Sequence, residues 1–565
     1  MSIPEQHRTA TSTPLRIACI GGGPGGLFTA IALAHSAPDA TVEVFERNHE
    51  SDVFGFGVVF SDATLDNIDR VDPVLRDTLA DHGRHWDSIE VHAKGEVTAA
   101  GGNGMSAVHR RVLLGALRHR ALELGAKLHY STTASVQSLD EDGGYDLIVA
   151  ADGTNSASRE VFASDLDHSV EQATVKFIWF GTTFQFDGLT FLHKQSEHGN
   201  FAVHAYPIGS DLSTFIVETD EDTWRKAGLD GFDMSSPPGE SDTVSQRYLE
   251  ELFADLIDGA RLVANNSRWA NFKTRRTARW HSRTDRGTPV VFLGDAMHTA
   301  HFSVGSGTKM AMEDAAVLAQ TVAEHAPDLD AALSEFEQIR RPQVAKVQNS
   351  SVPSLAWWDH FGEYYRELEP WQFGFHFFTR SISAEKIRVR DPQFVEVAEL
   401  AWHEQHGAAP LETPLKAGAV ALDSRLLSVT AGTANSVTLT DGTSILVANQ
   451  AAHEAEPLFS APDSDRTALD EDSLSRLDEL CAGGPGAVII KGGTELSRVL
   501  ASEYVRLRHH VAAIVIEQES SVRSRRAVDR RDCAATLVLS GRADAVAFDK
   551  LDESESAAAP SRSEL

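Results

Sequence analysis

The chain has 565 residues, room for three or four structural units at ~150 residues each. Apolar residues make up 42% and charged residues 24%, an ordinary globular balance that excludes general disorder. With 51 Lys+Arg against 82 Asp+Glu the formal charge is −31, so no nucleic-acid and no membrane-surface partner is expected, although a local basic pocket for a small anion is compatible with this charge.

The polar start MSIPEQHRTATSTP lacks the apolar core of a signal peptide, and no apolar run approaches the ~20 residues that cross a bilayer. Cys19, Cys481 and Cys533 are too few for a disulfide framework and lack metal-type spacing. A cytoplasmic protein with no metal site is expected, its thiols buried and reduced.

In chain order, Leu15 to Ile20 reads as a buried strand ending in glycines. After Pro24, Leu27, Ala30, Ile31 and Ala34 recur at helical spacing, and Thr41 to Glu46 alternates as a strand. This βαβ unit implies an open α/β sheet. DVFGFGVVFS, residues 52–61, reads as a loop that approaches something flat. A helix is expected from about Val108 to Leu124, and DLIVAA, residues 146–151, as another buried strand.

From Val175 to Glu218 the aromatic and β-branched segments FIWFGTTFQF, TFLHK, FAVHAYPI and STFIVET read as an antiparallel sheet inserted between α/β halves. PVVFL, residues 289–293, returns to the buried-strand pattern, and Ala311, Ala315, Leu318 and Val322 stripe the helix after it. The aromatic-dense run from Trp357 to Phe378 reads as helical packing between domains. Past Gly407 the texture turns small and polar, with an acidic linker-like stretch over 454–479 and a last α/β-like segment over 487–548.

Three loops carry the chemistry. Gly21, Gly23 and Gly26 make a GxGxxG between a strand and a helix, with Glu46 at the ~20-residue offset that suits a ribose diol. A structural turn is the rival reading. Asp152-Gly153-Thr154-Asn155-Ser156 follows the DLIVAA strand. Gly294-Asp295-Ala296-Met297-His298 follows PVVFL and precedes Gly305-Ser306-Gly307-Thr308-Lys309. A lone Asp at a strand end is commonly a cap or turn former, but three loops at carboxyl ends are the ligand-binding pattern of open α/β sheets.

ADGTNSASR and GDAMHTAHFSVGSGTKMAMEDA resemble the DG and GD signatures of FAD-dependent aromatic hydroxylases of the p-hydroxybenzoate hydroxylase class, joined by FERN, SAVHRR and FEQIRRP. FGFGVVFSD, HFSVGSGTK, FIWFGTT, STFIVET and FFTRS are similar to the salicylyl-CoA 5-hydroxylase and anthraniloyl-CoA monooxygenase branch, over about 14–402. The resemblance implies an α/β fold with a Rossmann-like (GR2-type) FAD-binding domain and an inserted antiparallel substrate sheet. The expected FAD-binding domain comprises 14–75, 106–165 and 270–345, the substrate domain 76–105 and 166–269, and an aromatic-rich helical region 346–406.

The resemblance also implies site roles. Gly21, Gly23, Gly25 and Gly26 hold the FAD pyrophosphate, and Glu46 and Arg47 the adenosine side. Arg110 approaches the phosphates, and Asp295 binds the ribityl or phosphate side. Backbone of Gly305, Gly307, Thr308 and Lys309 meets the flavin pyrimidine edge. Asp152 and Arg159 support the DG loop. His301-Phe302-Ser303 stands where the family has a proline-rich stretch, and Lys309 where it has Asn.

The implied enzyme is a single-component monooxygenase in which NADH or NADPH reduces FAD and O2 forms a flavin C4a-hydroperoxide that hydroxylates an activated aromatic ring. The substrate is an aryl-CoA or a phenol, pyridone or indole intermediate. A flavoprotein dehydrogenase or halogenase on the same fold is the alternative. The hydroperoxide needs a dry pocket. Phe177, Trp179, Phe184, Phe186, Phe201 and Tyr206 are candidates for its wall, about half of them facing away by strand alternation. Trp179, Tyr206 and Phe302 are the substrate candidates, and His301, His204 and His298 the candidate bases.

Residues 407–555 are far short of the ~250 of a full (β/α)8 barrel. They read as a reduced barrel relic without FMN, or as a thioredoxin-like cap. The missing barrel favours a tailoring reaction over a catabolic one. Tails 1–13 and 556–565 are expected to be disordered, and the extra module suggests a homo-oligomer.

Overall fold

A computed structural model describes residues 14–549 apart from 234, 236–238, 433–435, 440–443 and 449–454; the expected tails lie outside the described residues. Six strands form the first sheet, in the order His281–Arg283, Pro289–Phe292, Leu147–Ala150, Arg16–Ile20, Thr41–Phe45, Lys127–His129. Leu147–Ala150 and Pro289–Phe292 are buried along their whole length, as parallel strands covered on both faces must be. The helices Pro24–Ser36 and Gly307–His325 pack on this sheet through Leu27, Ile31, Ala315 and Leu318.

The second sheet has eight strands. Its antiparallel heart is His168–Thr182, Ser213–Thr219, Asn200–Pro207 and Leu189–Gln195. One face buries Ile178, Phe180, Phe201 and Phe215 against the helix Thr243–Phe253. The other face looks toward the first sheet. Ile89–Ala93 joins this sheet in parallel and Glu96–Ala100 follows it antiparallel.

Several boundaries differ from the expectations. Gly57–Ser61, within the expected loop, is a strand paired with Met105–His109, so the helix expected from Val108 starts at Arg110. Val58 and Phe60 bury against the first core, which stabilises the extended form. The helix Pro73–His82 also packs into that core through Leu75 and Leu79, across the boundary expected at 75/76. The helix Leu329–Glu367 runs unbroken through the boundary expected at 345/346.

The C-terminal strands Leu426–Gly432, Ser436–Leu439, Ser444–Ala448, Glu456–Ser460, Ala487–Lys491, Ala512–Glu517 and Ala545–Asp549 close a barrel. The stretch 454–479 is therefore no linker where it is described. It holds the strand Glu456–Ser460 and most of the helix Glu471–Ala482. The acids that suggest a linker have structural uses. Asp470 caps the helix by accepting from the Ser473 amide, Glu471 and Asp472 lie at its positive end, and Glu456 Oε2 accepts from the Ala487 amide at 2.9 Å.

The barrel docks on the aromatic helices around one buried carboxylate. Glu503 accepts from Tyr364 Oη at 2.6 Å, lies 3.0 Å from His376 Nε2 and 3.4 Å from Arg542 Nε. Burial opposes its charge, but the His376, Arg542 and Tyr364 partners prevail and hold it down at about 2. Removing one member of such a group strands the others without compensation. Glu503→Gln is expected to cost about 3–5 kcal/mol, measured by denaturant unfolding at neutral pH. Because the folded carboxyl is the stronger acid, this stabilisation is present above the unfolded value of 4.5 and is lost as pH falls through about 2. The gap between wild type and variant should therefore shrink on acidification.

Candidate functional site

The three glycine and aspartate loops border one cavity of about 870 Å³ between the two sheets. The glycines of the first loop have different tasks. At Gly21, φ is +110° and a Cβ would sit 2.3 Å from the Ala151 carbonyl oxygen; at Gly26 it would sit 2.0 Å from that of Gly21. At Gly25 it would meet Leu293 Cδ1 at 2.7 Å. These three let helix and strands approach closely. Around the Gly23 Cβ position nothing lies within 4 Å, and Gly23 lines the cavity, so here the missing side chain leaves space for a ligand.

The helix Pro24–Ser36 begins at that space with no side-chain cap bond and no acid in its first turn. Its first amides are free to meet an anion. Glu46 Oε2 accepts from the Gly22 amide at 2.8 Å and Oε1 from the Asn48 amide at 2.8 Å, so Glu46 shapes the loop from behind. Arg47 is exposed and Lys309 turns along its helix to within 3.7 Å of Glu313. Neither lines the cavity, which departs from the roles the resemblance gave them.

Arg159 ties the second and third loops by donating to Ala296 O at 2.9 Å and Thr154 O at 3.1 Å. Asp152 Oδ2 accepts from the Ser158 amide at 3.0 Å, while its buried Oδ1 has no partner. Asp295 and Arg110 both line the cavity. Burial raises the Asp295 carboxyl pKa, and burial likewise lowers that of the Arg110 guanidinium. Arg110 Nη1 donates to Phe54 O at 3.2 Å, and its buried Nε is unanswered. Gly305, Ser306, Gly307 and Thr308 complete the border at the start of the helix Gly307–His325. An open glycine cradle, two helix N-termini and the orphaned buried Nε of Arg110 fit a dinucleotide bearing phosphates and hydroxyls, whereas Asp152 does not line the cavity.

Strand alternation sorts the aromatic candidates. Phe177, Trp179 and Tyr206 line the cavity together with Phe302, whereas Phe184, Phe186 and Phe201 belong to the core on the opposite face. Phe302 reaches Phe177 with ring centroids 5.0 Å apart and His204 at 5.3 Å.

Of the three candidate histidines, only His204 lines the cavity. His298 is held by Asp314 at 2.7 Å, and Asp314 in turn by Arg340 at 2.9 Å, a packing role behind the loop. His301 lies behind the wall. It bonds Ser303 Oγ through Nδ1 at 2.8 Å, and its Nε2 is 3.8 Å from Glu218 Oε1. The same Glu218 oxygen is 3.0 Å from His204 Nε2. Burial pushes the Glu218 carboxyl up to about 8, the His301 imidazole down to about 4, and that of His204 well below its usual range. These directions favour a neutral Glu218 beside a neutral His204; the 3.0 Å between His204 Nε2 and Glu218 Oε1 is a close contact without hydrogen-bond geometry, and both atoms are buried without a hydrogen-bond partner.

Glu218 and Arg380 are not among the residues that the motifs single out, although both stand in the segments STFIVET and FFTRS. The signal for Glu218 was a carboxylate inside a strand that is buried throughout. Arg380 also lines the cavity; its Nε donates to Ser354 Oγ at 2.9 Å, and burial pushes it down to about 9.

Comparison with known proteins agrees with this geometry. The model of the FAD binding domain family matches residues 15–351. The chain belongs to this FAD-binding family. Salicyloyl-CoA 5-hydroxylase of Streptomyces sp is 49% identical over 538 residues, covering 94% of this chain and 99% of that protein. A 3-hydroxy-4-methyl-anthranilyl-[aryl-carrier protein] 5-monooxygenase of Streptosporangium sibiricum is 34% identical, covering 61% and 89% respectively. Protodeoxyviolaceinate monooxygenase of Chromobacterium violaceum is 29% identical over the same shares. The chain is thus an FAD-dependent enzyme of the hydroxylase and monooxygenase class. Its short C-terminal module is shared by a CoA-thioester hydroxylase of nearly equal extent, which removes the reason for preferring a tailoring reaction. Among the described residues no helix is long and apolar enough to cross a membrane.

Gly23 has extended backbone, φ −79° and ψ −177°, which a β-branched residue adopts readily. Gly23→Val is therefore expected to fold and to purify without FAD; a flavin absorbance spectrum equal to that of wild type would contradict the cradle. Glu218 stays protonated up to about pH 8 in the fold but ionises near 4.5 when unfolded. The stabilisation is full below 4.5 and vanishes as pH rises through about 8. Glu218→Gln, fixed neutral, should lose less thermal stability than wild type between about pH 5 and 9.

Proposed function

We propose that this chain is a single-component, NAD(P)H-dependent FAD monooxygenase that hydroxylates the phenolic ring of an aryl-CoA thioester. The observation that carries the reading is the single cavity in which the dinucleotide cradle, an aromatic wall and one histidine meet. Similarity to salicyloyl-CoA 5-hydroxylase along nearly the whole of both chains supports the substrate class. FAD, when bound, supplies the reduction by NAD(P)H and the activation of O2.

The chain's own residues do the rest. Phe177, Trp179, Tyr206 and Phe302 hold the ring and exclude water, which protects a reactive oxygen donor from decay. His204 accepts the phenolic proton, which makes the ring more electron-rich and hence more open to an electrophilic oxygen. It is neutral beforehand because burial disfavours its imidazolium, and the phenolate formed beside it compensates the charge it gains. Glu218 Oε1 stands 3.0 Å from His204 Nε2 and confines the ring, and His301 Nε2 lies 3.8 Å from the same oxygen. Arg380 adds positive charge that favours the phenolate.

Salicyloyl-CoA should accelerate NAD(P)H oxidation and yield a hydroxylated thioester; turnover unaffected by this and other aryl-CoA compounds would contradict the reading. His204→Ala should lower kcat by about 10²-fold or more with full FAD content. His301→Ala, one shell further back, should lower it less. Equal losses in the two variants would move the proton acceptor elsewhere.

A further inference from the structure

We propose that Arg390 and Arg526 form a phosphate-binding rim that grips the CoA arm of the substrate, so that the C-terminal barrel module takes a direct part in recognition. This deepens the aryl-CoA reading above and rests on it for the ligand's identity. Both arginines line the cavity and both are exposed, which places them where it opens to solvent. They come from different modules. Arg390 follows the helix Ala384–Arg388 in the aromatic region, and Arg526 stands between the helices Glu519–Ser524 and Arg530–Leu539 of the barrel.

Neither has a carboxylate within 4.0 Å among the described residues. The acids around them are already engaged by backbone amides. Asp391 accepts from Gly101 at 2.7 Å and Phe394 at 3.2 Å, and Asp87 from Gly102 at 2.7 Å. Asp532 accepts from Glu385 at 3.1 Å and Val528 at 2.8 Å. In a chain of net charge −31, two uncompensated guanidinium groups at one opening make a local positive field. Guanidinium forks match phosphate oxygens in pairs, which a CoA arm supplies.

The spacing between the arginines is fixed by packing. Ile387 shares a core with Val522, Leu537 and Val538 of the barrel, and Ser383 Oγ donates to the Arg526 carbonyl at 3.4 Å. Ile382 and Ile387 line the cavity near these positions in sequence and give it an apolar stretch suited to a pantetheine chain. The relative that acts on a CoA thioester covers 94% of this chain and so shares the barrel, whereas the one that acts on a carrier-protein thioester covers 61%.

The test measures binding to the FAD-loaded enzyme without reductant, read by flavin fluorescence. It compares salicyloyl-CoA with salicyloyl-N-acetylcysteamine, the same ring and thioester without phosphates. Wild type is expected to bind the CoA thioester at least about tenfold more tightly. In the double variant Arg390→Ala, Arg526→Ala this preference should fall to about twofold or less, with affinity for the truncated thioester changing little by comparison, and the Lys, Lys variant should keep part of it. A preference that survives in the Ala, Ala variant, a loss equal for both ligands, or no preference in wild type would overturn the rim. A phosphate-dependent preference without hydroxylation of salicyloyl-CoA would overturn the catalytic reading and leave the rim standing.

Discussion

The structure depends on one close approach, that of the helix Pro24–Ser36 onto the strand pair Arg16–Ile20 and Leu147–Ala150. Carbonyl oxygens of Gly21 and Ala151 occupy the places where side chains at Gly26 and Gly21 would be, so only bare backbone lets the layers meet. The same approach brings the uncapped start of the helix to the cavity, beside the open position at Gly23. Packing and cofactor binding are therefore two outcomes of one local constraint. The other two loops come into place because Leu147–Ala150 lies next to the first strand in the sheet and Pro289–Phe292 next to Leu147–Ala150.

Much of this was legible in the chain because local rules and tertiary structure agree there. Short, wholly apolar runs ending in glycine or aspartate mark buried parallel strands and their carboxyl-end loops, and the described strands follow them closely. Alternation predicted that about half of the aromatic wall faces away, and Phe184, Phe186 and Phe201 do. Legibility fails where tertiary pairing decides. DVFGFGVVFS looks like a loop until Met105–His109 provides its partner strand, and the acids of 454–479 look like a linker until they cap a helix and satisfy a barrel amide. Arg47 sits at a motif position, but it does not line the cavity, since a motif constrains backbone more tightly than long flexible side chains.

The cluster of His204, Glu218 and His301 could not be derived from spacing, because its members are far apart in sequence. His204 and Glu218 come from neighbouring antiparallel strands whose register places Glu218 opposite Ala202 and His204 opposite Ile216. His301 comes from a loop of the other domain. What unites them is burial, which makes the carboxyl a weaker acid and the imidazoles weaker bases.

In the proposed reaction the work divides by chemistry: backbone amides and the Arg110 guanidinium for the dinucleotide, aromatic rings and His204 for the substrate ring, and exposed guanidinium groups for a charged carrier. The most direct measurement is the mass of the product formed from salicyloyl-CoA by the FAD-loaded enzyme with NAD(P)H under isotopically labelled O2. The account predicts one labelled oxygen atom on the aromatic ring with the thioester intact. A product labelled only from water, or reductant consumed with every ring unchanged, would contradict it.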